Sequence, residues 1–121
     1  MEWVFTPVTL TLMTVADGTT SLYVSNGGGV LGGNRDEAVR RASADLIAQV
    51  NSHFQHFKTC ETFPGPEPNQ TVFYVLTDSG VLCGDGFTGD LGYRRHPLSP
   101  VFHAGHELLT QLRLASEAAD A

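Results

Sequence analysis

Five glycines fall within ten residues of this chain, in the stretch Ser25-Asn26-Gly27-Gly28-Gly29-Val30-Leu31-Gly32-Gly33-Asn34. Gly27-x-Gly29-x-x-Gly32 has the spacing of a phosphate-binding turn, where glycines bring the main chain to a pyrophosphate at a helix N-terminus. The context differs from that of a dinucleotide site. The preceding strand ends an antiparallel hairpin, and no acidic residue closes a second parallel strand about 20 residues later. The plain expectation is a connector whose glycines let the chain leave a strand and turn into a helix. Asn26, Gly27, Gly28, Gly29, Gly32 and Gly33 become candidate ligands for a small anion if a cationic segment folds beside them.

Arg94-Arg95-His96-Pro97 is the one dense basic cluster in an acidic chain. Arg94, Arg95 and His96 could hold a phosphate or carboxylate through charge-assisted hydrogen bonds. Pairing with the surplus surface acids is the favoured alternative. His53 and His56, with Cys60 four residues on, and His103 and His106, with Glu107 adjoining, are residue types that bind zinc. Spacing of i, i+3 places each pair on one helical face. Neither pair has third and fourth ligands at a metal-site spacing, and no metal or other cofactor is expected. His103, His106, Thr110 and Arg113 share the face opposite a leucine seam, which reads as a solvated face. Cys83 has no local nucleophile signature and sits in an apolar run, so it reads as core. Asp78, Asp85 and Asp90 are too far apart for a calcium loop and suit turns instead. No catalytic residue is assigned, and the balance favours a protein that is not an enzyme.

These residues must be positioned by a small set of elements. Val8, Leu10 and Leu12 alternate with polar partners, as do Thr20, Leu22 and Val24, and Asp17-Gly18 between them predicts a two-residue type I′ hairpin turn. Asn34 is a plausible N-cap for a helix over residues 35–58, with Val39, Ala42, Leu46, Val50, Phe54 and Phe57 on one face. Thr62 to Asn69 holds three alternate prolines and must be a loop. Val72 to Leu76 is apolar on both faces. It is followed by a three-residue turn, Asp78-Ser79-Gly80, and a returning strand through Val81, Leu82 and Cys83. Gly89 to Arg95 is either a short fifth strand or an ordered loop. Ser99 as N-cap and Pro100 at the first helical position start the last helix, and residues after Leu114 are expected to fray.

The 121 residues suit one domain, residues 1–121, large enough to bury a core without staples. A net charge of −6 argues against general binding of nucleic acid or anionic membrane. The opening residues Met1 to Pro7 lack a basic region and a cleavage site, no apolar run nears ~18 residues, and two cysteines make no disulfide framework. A cytoplasmic protein is expected.

The order β-β-α-β-β-(β)-α predicts an α+β two-layer sandwich, an antiparallel sheet of four to five strands with two helices. This order is similar to the roadblock/longin and profilin-like folds, whose members mostly act as interaction platforms and often dimerise. The strings TSLYVSNGGGVLGG (Thr20 to Gly33) and RRHPLSPVFHAGHELLTQLR (Arg94 to Arg113) resemble a family of small bacterial proteins that supplies no activity to carry over. The leading expectation is therefore a non-catalytic interaction or scaffold module, its partner a second copy of itself or another protein. Two features motivate a homodimer: the two-faced apolar strand, and Gly105, whose ~1 kcal/mol helical cost suggests close approach by another element. A small-molecule (anion or nucleotide) binding protein or enzyme using the Gly27 to Gly33 stretch is the alternative. An immunity or antitoxin-like role, common among small acidic bacterial domains, is the third.

Overall fold

The computed structural model describes residues 1–32 and 35–120 and is an α+β fold: one antiparallel sheet with three helices packed on it. Seven strands are present rather than four or five: β1 (Glu2–Phe5), β2 (Val8–Thr14), β3 (Thr20–Val24), β4 (Gly29–Gly32), β5 (Lys58–Thr59), β6 (Gln70–Thr77) and β7 (Gly80–Phe87). Their order across the sheet is β4-β3-β2-β1-β6-β7-β5. The helices are α1 (Glu37–Ser52), α2 (Thr88–Gly92) and α3 (Ser99–Asp120).

The additional strands come from segments with weak strand signals. β1 is only four residues long, and the central position it occupies is set by partners distant in sequence. β4 comes from the glycine stretch, which is a hairpin turn and edge strand rather than a connector. Gly27 takes φ of +101°, and Val24 N–H donates to Gly28 O at 2.9 Å to close that turn. Gly29 is required where it lies, since a Cβ there would meet Leu22 O at 2.6 Å.

Turns and helix ends differ in detail from the expectations. The first hairpin closes through Val15 N–H to Thr19 O. Gly18 alone is left-handed, so the loop is the three-residue type with a glycine bulge, not type I′. The second hairpin is the converse: Thr77 pairs with Gly80 across a two-residue loop. Asn34 lies outside the described residues, as does Gly33, and α1 is capped by Asp36, whose Oδ1 accepts from Val39 N–H at 3.0 Å. α1 ends at Ser52, and a 3-10 turn over Phe54–His56 leads into β5. Gly89 to Arg95 is neither strand nor loop throughout, because α2 occupies its first part. Ser99 is not the cap of α3 but its first residue. Its Oγ accepts from His96 N–H, and Leu98 O accepts the first helical N–H, from Phe102. α3 continues past Leu114 because Ala115 packs against the core.

All three helices lie on one face of the sheet. The inward residues Trp3 and Leu12 meet Val39 and Ala42 of α1 and Leu108 and Leu112 of α3. Phe73 meets Leu91 of α2 and Val101 and Phe102 of α3 in a second cluster, with Phe57 and Leu98. Among the described residues the opposite face carries no helix. Gly84 is where the second cluster is tightest: a Cβ there would stand 2.7 Å from Leu98 Cδ1 and 3.2 Å from Phe57 Cδ1. Leu98 is fully buried and cannot swing aside. Gly84→Ala is expected to destabilise the fold by about 1–3 kcal/mol through overpacking, measured as a lower denaturant midpoint with an unchanged slope.

Candidate functional site

The glycine stretch and the basic cluster are at different ends of the sheet. Asn26, Gly27, Gly28, Gly29 and Gly32 belong to the β3–β4 turn and the β4 edge. The ring of His96 lies over Gly86 of β7, whose added Cβ would fall 2.8 Å from its Nε2. Five strand spacings separate β4 from β7, roughly 24 Å at about 4.8 Å each. The proximity on which a joint anion site depends is therefore absent. The basic cluster also does not pair with acids. Among the described residues the one ion pair is Arg41–Glu37, while the Arg95 guanidinium sits 5.5 Å over the Tyr93 ring. His96 Nδ1 accepts from Leu98 N–H at 3.0 Å, which ties the ring to the start of α3.

The histidines of α3 are not on a solvated face. His106 meets Phe102 edge-on, ring centroids 4.4 Å apart, and lies tilted against Trp3 at 5.2 Å. The Nε2 atoms of both His103 and His106 are buried without a hydrogen-bond partner. Helical spacing locates a face but cannot say what covers it, and here Trp3 of β1 does. Among the described residues no three His, Cys, Asp or Glu side chains come together as a metal-ion set. Cys60, just past the edge strand β5, and Cys83, on the neighbouring strand β7, are free thiols, and Cys60 is raised to about 11 by desolvation and by Cys83.

A feature without a sequence motif lies at the centre of the sheet. β1 pairs with β6 at Glu2–Val72 and Trp3–Thr71, and with β2 from Phe5–Val8 to Glu2–Thr11. β2 and β6 both run on past its end, to Thr14 and Thr77. Among the described residues no strand fills the space between these extensions. The resulting notch opens a cavity of about 760 Å³, walled by Thr11, Met13, Tyr74 and Leu76 and floored by Leu46, Ile47 and Val50 of α1.

Main-chain polarity in the notch follows from the ladders. Leu12 N–H donates to Met1 O, so even-numbered residues of β2 point their amides towards β1, and Thr14 is the next in that row. On β6, Thr88 N–H donates to Asn69 O, so odd-numbered residues pair with β7 and Tyr74 and Leu76 face the notch. The Thr14 hydroxyl is anchored inward to Ser43 Oγ at 2.7 Å and Thr20 Oγ1 at 2.9 Å, which holds its amide in this direction. Two charged residues line the cavity, Glu2 and Asp78, both acidic. The Met1 amino group donates to Leu12 O, and burial lowers it from 8.0 to about 6, so at neutral pH it offsets little of that charge.

Sequence reading missed the notch because β1 was not expected as a strand. The available signal was Trp3 flanked by Val4 and Phe5, a short apolar run of strand-forming types.

The chain matches no known family model, curated protein or solved structure. No helix is long and apolar enough to cross a membrane.

The buried imidazole carries a pH dependence. Desolvation, then the neighbouring His103, lowers His106 below its ordinary 6.5. The unfolded ring gains a proton first as pH falls, so this group's contribution is complete above about pH 6.5 and is lost below it. The denaturant midpoint is expected to fall between about pH 7.5 and about pH 5.5. His106→Phe, which keeps an aromatic ring against Trp3 and Phe102, is expected to make that fall shallower; an unchanged pH profile would contradict the assignment.

Proposed function

We propose that this protein is a non-catalytic interaction module that binds polypeptide through the helix-free face of its sheet. The observation that carries the reading is that face itself. Met13, Val15, Tyr23, Leu76 and Phe87 are all large, apolar and exposed; Leu76 is 75% accessible. Exposed apolar surface of this kind, mixed with the threonines of β2, is characteristic of protein contact sites. The proline loop at residues 61–69 covers part of it, where Phe63 meets Tyr74 edge-on at 5.7 Å and Pro64 O accepts from the Tyr74 hydroxyl.

A second copy of the chain is one partner such a face fits, although Gly105 no longer argues for it. The nearest atoms to a Cβ at Gly105 are Met1 Sδ and Cε, at 2.8 and 2.9 Å, so the close approach is made within the chain. The anion-binding alternative loses its motive with the separation of Gly27 to Gly32 from Arg94 to His96.

A random-peptide display library panned against the immobilised chain tests the module reading. Enriched binders that lose affinity for a Met13→Glu/Leu76→Glu double variant are the expected result, and no enrichment over a blank surface would refute it. Light scattering at tens of micromolar separates the partners: a strict monomer retires the homodimer.

A further inference from the structure

We propose that Cys60 and Cys83 form a two-thiol clamp for a soft monovalent cation, copper(I), on the helix-free face at the β5–β7 end of the sheet. The clamp is independent of the interaction-module reading, because no partner polypeptide takes part in it.

Strand register brings the two residues together. Lys58 pairs with Cys83 and Thr59 with Leu82, and Cys60 N–H extends that ladder by donating to Val81 O at 3.0 Å. Cys60 and Cys83 are thus diagonal neighbours on one face of the pair. Gly84, next in β7, faces Leu98 and Phe57 in the helical layer. Alternation therefore turns Cys83, and with it Lys58 and Cys60, to the helix-free side, where Cys83 lies directly across from Tyr74. Both thiols are free and half-buried. Burial, then the adjoining Cys83 thiol, raises Cys60 to about 11. The proline loop leaves directly after Cys60 and is tied to Tyr74 through Pro64 O, so the pair sits at the root of that loop.

The separation of the two residues selects the chemistry. Diagonal neighbours in an antiparallel pair stand about 7–8 Å apart, beyond the ~4.4–6.8 Å between the Cα atoms of a disulfide. The bond from Cys60 N–H to Val81 O fixes that offset. An ion between the sulfurs supplies the missing length. Two metal–thiolate bonds of about 2.3 Å in line set the sulfurs about 4.6 Å apart, against about 2.05 Å across a disulfide. Zinc takes four ligands, and among the described residues no third His, Cys, Asp or Glu joins the pair. Copper(I), a soft closed-shell ion, selects thiolates and is satisfied by two of them in line.

The protonation state agrees. Thiol–disulfide exchange starts from a thiolate, which Cys60 withholds at neutral pH, whereas a soft cation displaces the proton directly. Two thiols and one copper(I) give one linear bis-thiolate and two released protons, with no change of oxidation state. The product carries a single negative charge. Lys58, directly opposite Cys83 and two residues before Cys60, places its cation on the same face to balance it.

The test titrates the reduced 121-residue chain with copper(I) under nitrogen against a copper(I) chelator, counts the metal retained after desalting, and reads its environment by copper X-ray absorption. One copper per monomeric chain, with two sulfur neighbours, is the expected result. Cys60→Ser and Cys83→Ser are each expected to weaken binding about a hundredfold or more. Lys58→Gln is expected to weaken it a few-fold at low salt and less at high salt. Zinc is expected to bind about a thousandfold more weakly than copper(I). Closing the clamp is expected to slow amide exchange at Cys60 about tenfold and to leave the β2–β3 hairpin unchanged.

Four results would overturn the clamp: no copper retained after desalting; single serine variants that bind as tightly as the parent, which would make the metal an adventitious ion only; one copper shared by two chains in a dimer; or ready closure of an intrachain disulfide by oxidised glutathione, with two reduced glutathiones released, which would make the pair a redox couple instead. None of them bears on the peptide-library test of the module reading.

Discussion

The pairing of β1 with β6 holds this structure together. Among the described residues, the β4-β3-β2-β1 half of the sheet is joined to the β6-β7-β5 half through the pairs of Glu2 and Trp3 with Val72 and Thr71. So short a ladder would be weak alone, since a strand pair needs a packed face to persist in water. Trp3 supplies that face. Its ring is buried in the first core cluster and touches His106 on α3, so the strand is clamped between sheet and helix. Met1 and Leu46 pack against both core clusters and carry the same junction across the helical layer.

The same short strand makes the notch. Among the described residues β2 and β6 both extend past the start of β1, and Thr14, Tyr74 and Leu76 have no strand partner on that side. The acids beside it, Glu2 and Asp78, would have no meaning as a motif in the sequence. By contrast, the glycine stretch has a sufficient structural explanation. Gly27 makes a turn and Gly29 lets an edge strand pass Leu22 O, so the phosphate-loop spacing is a by-product of a hairpin.

Much of the fold was legible in the chain. Periodicity located β2, β3, β6, α1 and α3, because each buries one face and must repeat apolar residues at its own period. Hairpin positions were also readable, though not their loop types. Asp17-Gly18 permits several turns, and the register of the flanking strands chooses among them. Helix ends were less legible. Asp36 rather than Asn34 caps α1, and Leu98 rather than Ser99 occupies the cap position of α3, because a cap depends on backbone geometry that several nearby polar residues could satisfy. The candidate site was not legible at all. Its walls present main-chain amides, which every residue carries and no motif marks.

What the sequence determined by itself is the α+β class, the amphipathic faces and the acidic surface, all properties of local pattern and composition. Tertiary structure alone decided which segments became neighbours. It placed Arg94 to His96 five strands from the glycine turn, laid Trp3 against His106 of α3, and filled the space at Gly105 with Met1. These outcomes turn on β1, whose four residues carry too little periodicity to announce a strand and take their position from partners on both sides. The open notch follows from that placement, since whether a backbone amide is paired is a property of its neighbours and not of its own residue.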